Sequence, residues 1–240
     1  MGEELEESRC PIRVQHTAQG LGGRHAGQRR VSRFFKTRDT RLPTVGRMTN
    51  LLPQLTTAAA EAARVARAVT PERLDRTTPD TEWDVRTLAN HLVLWTSYNF
   101  ELRARGESVP DDWQQRDFTA EPGWADAYAG QLDLALAAWS DPAVWEGEVI
   151  MGDSTMPAAS VAGMILLELV LHGWELAVAT GQHYRTTTEV DTAVLGLVEQ
   201  YAEMYRQYQG FAEALPTDGG MTAFARALAL SGRDPEWEAA

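Results

Sequence analysis

The chain has 240 residues, 44% of them hydrophobic, which is enough for one sizeable core and gives no reason to expect two. Its formal net charge is −12, and the charge is unevenly distributed: residues 1–47 hold ten of the 22 Lys and Arg but only five of the 34 Asp and Glu. The remainder of the chain is therefore strongly acidic and is not expected to bind nucleic-acid phosphates. The only cysteine, Cys10, excludes an internal disulfide and a cysteine nucleophile in the core, so thiol chemistry would need a thiol from outside.

Residues 1–47 show no sustained helical or strand period, and we predict a disordered basic extension here. Two other interpretations are a basic arm that binds nucleic acid or membrane, and a translation start at Met48, where the folded pattern begins. Mass spectrometry of the native N-terminus tests the latter, because a peptide that maps before Met48 would exclude it. Arg29 and Arg30 form a twin-arginine pair, but no apolar segment follows, so we expect a cytoplasmic protein.

Residues 48–240 are predicted to form one α-helical domain, because apolar residues recur at spacings of three and four. The predicted helices cover about 49–69, 85–105, 124–139, 157–180, 189–209 and 221–230. Asp84 is a suitable N-cap for the second helix, and Gly181 is a suitable stop for the fourth. The pattern is typical of an all-α fold, a helical bundle with further C-terminal helices.

Two stretches between these helices have a different character. Residues 106–121 are polar and contain a proline, which predicts a crossover or a lid-like connection. Residues 148–156 offer two short β-prone arms around Gly152 and Asp153, which predicts a small hairpin directly before the fourth helix.

The fourth predicted helix carries the main functional candidates, Glu168 and His172. It is the most apolar stretch of the chain, but these two groups make a buried helix a better interpretation than a membrane span. Four residues of separation place both side chains on one helix face. An ionised glutamate in such surroundings is costly unless it is paired or bound to a cation.

His91 is the candidate partner, because it lies near the core-facing side of the second predicted helix. Two imidazoles and one carboxylate from two helices are the elements of a metal site that leaves positions open for water or substrate. These donors suit Zn²⁺ best, with Fe²⁺, Ni²⁺ and Mn²⁺ as alternatives. A competing interpretation is that Glu168, His172 and Glu175 form a solvated stripe on an amphipathic helix and bind no metal.

Several neighbouring residues have weaker functional interpretations. Asn90 would orient a ligand or lie on another face, and we favour a structural role. Trp83 and Trp174 are predicted to be packing anchors, with pocket walls as the alternative. Arg86 is one turn before His91, and a surface ion pair is favoured over contact with an anionic substrate or cofactor.

Three segments resemble a known family. They are Trp83-Asp-Val-Arg-Thr-Leu-Ala-Asn-His-Leu-Val93, Glu168-Leu-Val-Leu-His-Gly-Trp-Glu-Leu-Ala-Val-Ala-Thr-Gly181 and Leu228-Ala-Leu-Ser-Gly-Arg-Asp-Pro-Glu-Trp237. Together they resemble the mycothiol-dependent maleylpyruvate isomerases of actinobacteria, within the broader group of DinB-like metal-binding four-helix bundles. The last segment is similar to the C-terminus of a single-domain branch of this family.

The resemblance implies a DinB-like four-helix bundle that holds Zn²⁺ or a related dication with His91, Glu168 and His172. It also implies mycothiol as a thiol cofactor, activated at the metal. The characterised isomerases carry an additional C-terminal domain that contributes to the active site, and we expect this chain to end too soon to contain one. Maleylpyruvate is therefore not implied as the substrate, and Arg233 is not assigned that domain's catalytic role.

We therefore expect a metal-dependent transferase or isomerase that uses mycothiol for thiol transfer to, or thiol-assisted isomerisation of, a small electrophile. Its partner would be a small-molecule substrate rather than nucleic acid or membrane, and a homodimer is common for such bundles. An alternative from another class is a non-catalytic metal-binding bundle that acts as a small-molecule sensor or a protein-interaction module. A metal hydrolase that uses bound water is a third interpretation.

Overall fold

The computed structural model describes residues 50–151 and 154–239, so the predicted extension at 1–47 lies outside the described residues. The α-helices are α1 (Leu52–Arg67), α2 (Val85–Leu92), α3 (Asn99–Ala104), α4 (Trp124–Ala138), α5 (Pro142–Trp145), α6 (Ala158–Leu167), α7 (Gly173–Ala179), α8 (Thr188–Gln207) and α9 (Ala223–Leu230). Two π-helical segments make longer helices continuous: Val93–Tyr98 joins α2 to α3, and Glu168–His172 joins α6 to α7.

The all-α prediction is confirmed. Four long helices, namely α1, α2 with α3, α4, and α6 with α7, pack around one apolar core, and α8 and α9 are added to them. Leu55 of α1, Leu88 of α2 and Leu166 of α6 are completely buried in this core. The apolar spacings therefore predicted the bundle correctly, because each helix buries one continuous face.

The predicted hairpin is also present in the described part of the chain. Strands β1 (Glu148–Met151) and β2 (Ser154–Pro157) pair antiparallel, with Val149 opposite Met156. The predicted turn residues, Gly152 and Asp153, lie outside the described residues.

The polar connection before α4 is packed against the bundle. It contains two short 3₁₀ turns, Asp111–Gln115 and Phe118–Ala120. Phe118 is buried, and its ring stacks on Tyr98 with 5.7 Å between the centroids. This connection therefore contributes a small aromatic satellite to the core.

The helix formed by α6 and α7 is the central helix of the fold. Within Ala158–Ala179 it is long and apolar enough to cross a membrane, but 83% of its most apolar window is buried inside the protein. Its last residue is Ala179, and Gly181 just beyond it has a φ of +67°, the left-handed conformation predicted for a C-terminal glycine stop. Among the described residues this is the one helix that passes the length and hydropathy criteria for a membrane span.

The second and fourth long helices run antiparallel. The α2 segment contacts the π-helical segment Glu168–His172 and α7, whereas α3 contacts β1, which precedes α6. The beginning of one helix therefore lies beside the end of the other, and this arrangement brings His91 next to Glu168 and His172.

Asp84 begins the second long helix as predicted, and its replacement tests that helix. Its carboxylate accepts hydrogen bonds from the backbone N–H of Thr87 at 2.8 Å and from the Thr87 hydroxyl at 2.6 Å. We expect Asp84→Ala to lower the free energy of unfolding by about 1 kcal/mol, measured by urea denaturation. The control is Asp133→Ala, an exposed position within α4, and an equal loss in both variants would contradict a capping role.

Candidate metal centre

The three predicted ligands meet at one place. One ligand atom from each of His91, Glu168 and His172 lies within 4.8 Å of the other two. The Nε2 atom of His91 is 2.6 Å from Oε2 of Glu168, and Nε2 of His172 is 3.4 Å from the same oxygen. The His91 side chain has no exposed surface, while the side chains of Glu168 and His172 retain 18% and 14% exposure. Two helices that are distant in sequence therefore present a compact set of nitrogen and oxygen donors.

The backbone around Glu168 and His172 departs from a regular α-helix. Both residues belong to the π-helical segment, and such segments occur frequently at functional sites. The next residue, Gly173, lets the ring of Tyr184 approach closely, since a Cβ atom there would lie 3.0 Å from that ring. The Tyr184 hydroxyl donates to the carbonyl of Leu169 at 3.3 Å. Local packing thus supports the widened helix that presents the two side chains.

Glu175 and Arg233 form a buried support behind His172. Oε2 of Glu175 is 2.5 Å from Nδ1 of His172, and Oε1 of Glu175 accepts from Nε of Arg233 at 2.8 Å. Glu175 is 2% exposed. A carboxylate that accepts from Nδ1–H leaves the lone pair of Nε2 available, and this is the usual arrangement behind a metal-bound histidine.

Neighbouring groups keep the two carboxyl groups of the cluster ionised. Burial alone would raise the pKa of Glu175, but the charges of Arg233 and His172 outweigh burial and lower this pKa to about 2. Burial likewise opposes ionisation of Glu168, and the two imidazoles reverse the effect and lower the pKa of its carboxyl group. Both carboxyl groups are consequently anionic at neutral pH.

The two histidines respond to their surroundings in opposite ways. Burial lowers the pKa of His91, and the attraction of Glu168 offsets only part of this effect. For His172, the carboxylates of Glu175 and Glu168 outweigh burial and raise the pKa. The buried His91 imidazole is therefore neutral, the form in which an imidazole binds a metal ion.

A cavity opens onto this cluster. Glu168 and His172 line it together with Arg233, and Trp83 forms a further wall. The Trp83 ring stacks on His172 with 5.4 Å between centroids and lies 4.7 Å from the His91 ring at a tilt. Glu168 and His172 are thus reached through a partly apolar space, where electrostatic interactions are stronger than in water.

The alternative prediction that Glu168, His172 and Glu175 form a solvated stripe is wrong. Glu175 is buried, and the other two face the cavity beside a second helix, so these residues do not form a solvated surface. A lone amphipathic stripe would be largely exposed. Burial and the antiparallel packing of His91 explain the difference.

The structural interpretations of Asn90 and Arg86 are confirmed. The Asn90 amide donates to Asp117 at 2.9 Å and accepts from the backbone N–H of Phe118 at 2.6 Å, so it anchors the 3₁₀ turn. Arg86 pairs with Asp75 at 3.4 Å and with Asp117 at 3.3 Å. Neither residue lines the cavity that Glu168 and His172 line, although Asn90 shares a smaller pocket with His91.

Both tryptophans are packing anchors as predicted, and one of them also lines the cavity. Trp83 and Trp174 are both buried in the core, as packing anchors should be. Trp83 also walls the cavity, which was the alternative interpretation for this residue. Its large flat ring serves both purposes because one face can pack inward while the other meets the site.

Sequence reasoning missed the support formed by Glu175 and Arg233. Glu175 follows His172 by three residues in an apolar helix, and this spacing was a usable signal for a paired carboxylate. Arg233 lies 58 residues further along the chain, and only the folded structure shows that it returns to this helix.

The donor set fits a divalent metal ion. Two imidazole nitrogens and a carboxylate oxygen are ligands that Zn²⁺ and related dications accept, and the cavity side leaves space for a further ligand. Nδ1 of His91 is buried with no hydrogen-bond partner among the described residues, so its orientation depends on what Nε2 contacts. Nε2 of His91 and Nε2 of His172 both approach Oε2 of Glu168, which places three donors around one point.

The chain matches a known protein family. A family model described as the mycothiol maleylpyruvate isomerase N-terminal domain matches residues 55–177, just over half of the chain. This range contains His91, Glu168, His172 and Glu175, whereas Arg233 lies outside it. Comparisons with curated proteins and with solved structures found no match.

Proposed function

Because the chain belongs to the mycothiol maleylpyruvate isomerase N-terminal domain family, we propose that it is a metal-dependent enzyme that uses mycothiol. The reaction would be thiol transfer to, or thiol-assisted isomerisation of, a small electrophile. The observation that carries the proposal is the set of three ligand atoms within 4.8 Å beside a cavity. We propose His91, Glu168 and His172 as ligands and Zn²⁺ as the resident ion.

The proposed roles follow from the contacts of each residue. His91 and His172 would bind through Nε2, and Glu168 through its carboxylate. Glu175 keeps the proton of His172 on Nδ1 and so directs the Nε2 lone pair into the site. When bound, a dication supplies the positive charge that lowers the pKa of a coordinated thiol.

The surroundings of the candidate ligands combine an aromatic wall with a cavity. Trp83 covers both imidazoles, and the cavity beside Glu168 provides the space in which a thiol and a small electrophile could meet. Among the described residues there is no cysteine, and this agrees with a thiol that comes from a cofactor. We place the enzyme in the cytoplasm, because a low-molecular-weight thiol stays reduced there.

The test is a spectroscopic titration of cobalt-substituted protein with mycothiol. We expect a sulfur-to-cobalt charge-transfer band to develop on addition, and mycothiol-dependent consumption of model electrophiles to stop when a chelator removes the metal. Bound metal with neither thiol coordination nor turnover would favour the non-catalytic sensor or interaction module. Metal-dependent hydrolysis without mycothiol would favour a hydrolase.

A further inference from the structure

A second group of polar side chains lines the cavity away from the metal centre. Trp95, Asn99 and Arg103 follow one another at intervals of four residues, and all three line the cavity. At a rise of about 1.5 Å per residue, Asn99 is about 12 Å and Arg103 about 18 Å from His91 along the helix. Arg103 donates to the backbone carbonyl of Ile150 in β1, the strand that precedes β2 and α6 in the chain. The cavity thus has two chemically distinct ends.

Asn99 lines this cavity and carries an unused hydrogen-bond acceptor. The residue is 2% exposed, and Oδ1 has no hydrogen-bond partner among the described residues. Leaving such an acceptor unsatisfied in a buried position is costly, so a buried carbonyl oxygen on a residue that lines a cavity indicates a donor from a ligand or an ordered water. A ligand group with an N–H or O–H would satisfy it.

Arg103 adds a buried positive charge one turn further on. It is 6% exposed, and burial lowers its pKa to about 10, so the guanidinium is still protonated at neutral pH. The planar guanidinium suits carboxylate oxygens, which it can bind through more than one N–H.

The space between the two ends is mostly apolar. Val161, Met164 and Ile165 of α6 line it, together with Phe211 from the chain after α8. Such walls favour a hydrocarbon segment over a charged one. The cavity as a whole therefore matches an elongated ligand with a polar terminus.

We propose that Asn99 and Arg103 form a recognition subsite for a carboxylate that carries a neighbouring N–H or O–H group. The N–H or O–H of the ligand donates to Oδ1 of Asn99, and its carboxylate accepts from the Arg103 guanidinium. The apolar part of the ligand then extends along α6 toward Glu168. As a site that selects substrates with such a terminus, the subsite rests on the proposed function. Binding of the ligand to Asn99 and Arg103 needs no metal.

The test uses three matched probes in isothermal titration calorimetry. N-octanoylglycine has an eight-carbon acyl group, an amide N–H and a carboxylate. Octanoyloxyacetic acid replaces that N–H with an oxygen, and N-octanoylglycinamide replaces the carboxylate with a neutral amide. We expect N-octanoylglycine to bind more tightly than the oxygen analogue by about twofold to tenfold, and more tightly than the amide by tenfold or more, roughly the range for neutral and charged hydrogen bonds.

Variants assign each preference to one side chain. Asn99→Leu keeps a similar volume and removes the acceptor, so the preference for N–H over oxygen should disappear while the preference for carboxylate remains. Arg103→Gln should abolish the preference for carboxylate while the preference for N–H remains. Arg105→Gln is the matched control, because Arg105 loses the same charge two residues away, is largely exposed and pairs with Glu101 outside the cavity. Thermal unfolding by circular dichroism confirms that each variant is folded.

The same titrations on chelator-treated protein separate this proposal from the proposed function. Both preferences should persist there, because neither residue belongs to the proposed ligand set. No binding of N-octanoylglycine, or equal affinity for all three probes in the unaltered protein, would overturn the subsite. Preferences that survive in both Asn99→Leu and Arg103→Gln would overturn it as well. A protein that binds no metal but keeps both preferences would retain the subsite and lose the proposed reaction.

Discussion

His172→Ala and Glu168→Ala are expected to lose nearly all bound divalent metal, whereas the unaltered protein should bind about one ion per chain. Each change removes one of three donors that lie within 4.8 Å of one another. No other group of three or more His, Cys, Asp or Glu in the described residues has this geometry, so no second site of this kind there would bind the ion instead. Elemental analysis of the purified proteins gives the metal-to-protein ratio directly.

The control for this experiment is His183→Ala. His183 is an exposed histidine beyond the end of α7, and its loss should leave the metal content unchanged. Chelation of the unaltered protein should also lower its melting temperature, because an ion that binds only the folded state stabilises it. Stoichiometric metal that survives both His172→Ala and Glu168→Ala would rule out this ligand set.

The sequence was sufficient to predict the bundle and the three candidate ligands for the same physical reason. Helices that bury one face repeat their apolar residues at spacings of three and four, so a polar group at such a position is conspicuous. Glu168 and His172 interrupted a buried helix, and His91 lay near the core-facing side of another. Asp84 and Gly181 were predictable because helix ends need specific chemistry.

Other features depend on contacts that sequence spacing does not encode. The two π-helical segments change which side chains share a face, and tertiary packing such as that of Tyr184 against Gly173 supports one of them. Asn99 is an ordinary polar residue in a helix until the fold buries it beside a cavity. Arg233 reaches Glu175 only after the C-terminal segment returns to the central helix.

Glu175→Ala is expected to destabilise the metal-free protein by about 3–5 kcal/mol and to weaken metal binding by about 10–100-fold. The first effect arises because Arg233, whose side chain is only 10% exposed, would keep its charge without the carboxylate that lies 2.8 Å from it. The second arises because Nδ1 of His172 would lose its 2.5 Å partner and with it the preference for the useful tautomer. Urea denaturation in chelator and competitive zinc titration measure the two effects separately.

A set of further variants distinguishes support of His172 from simple loss of an ion pair. Glu175→Gln keeps an oxygen acceptor for the Nδ1–H of His172, so it should recover much of the metal affinity while it remains less stable than the unaltered protein.

The Glu175→Ala/Arg233→Ala double variant should be more stable than the sum of the two single losses predicts, because no buried charge is left without its partner. Glu199→Ala is the matched control, since Glu199 and Arg226 form an exposed pair at 2.9 Å whose loss should cost about 1 kcal/mol or less. Unchanged zinc affinity in Glu175→Ala would show that His172 holds its orientation without this carboxylate.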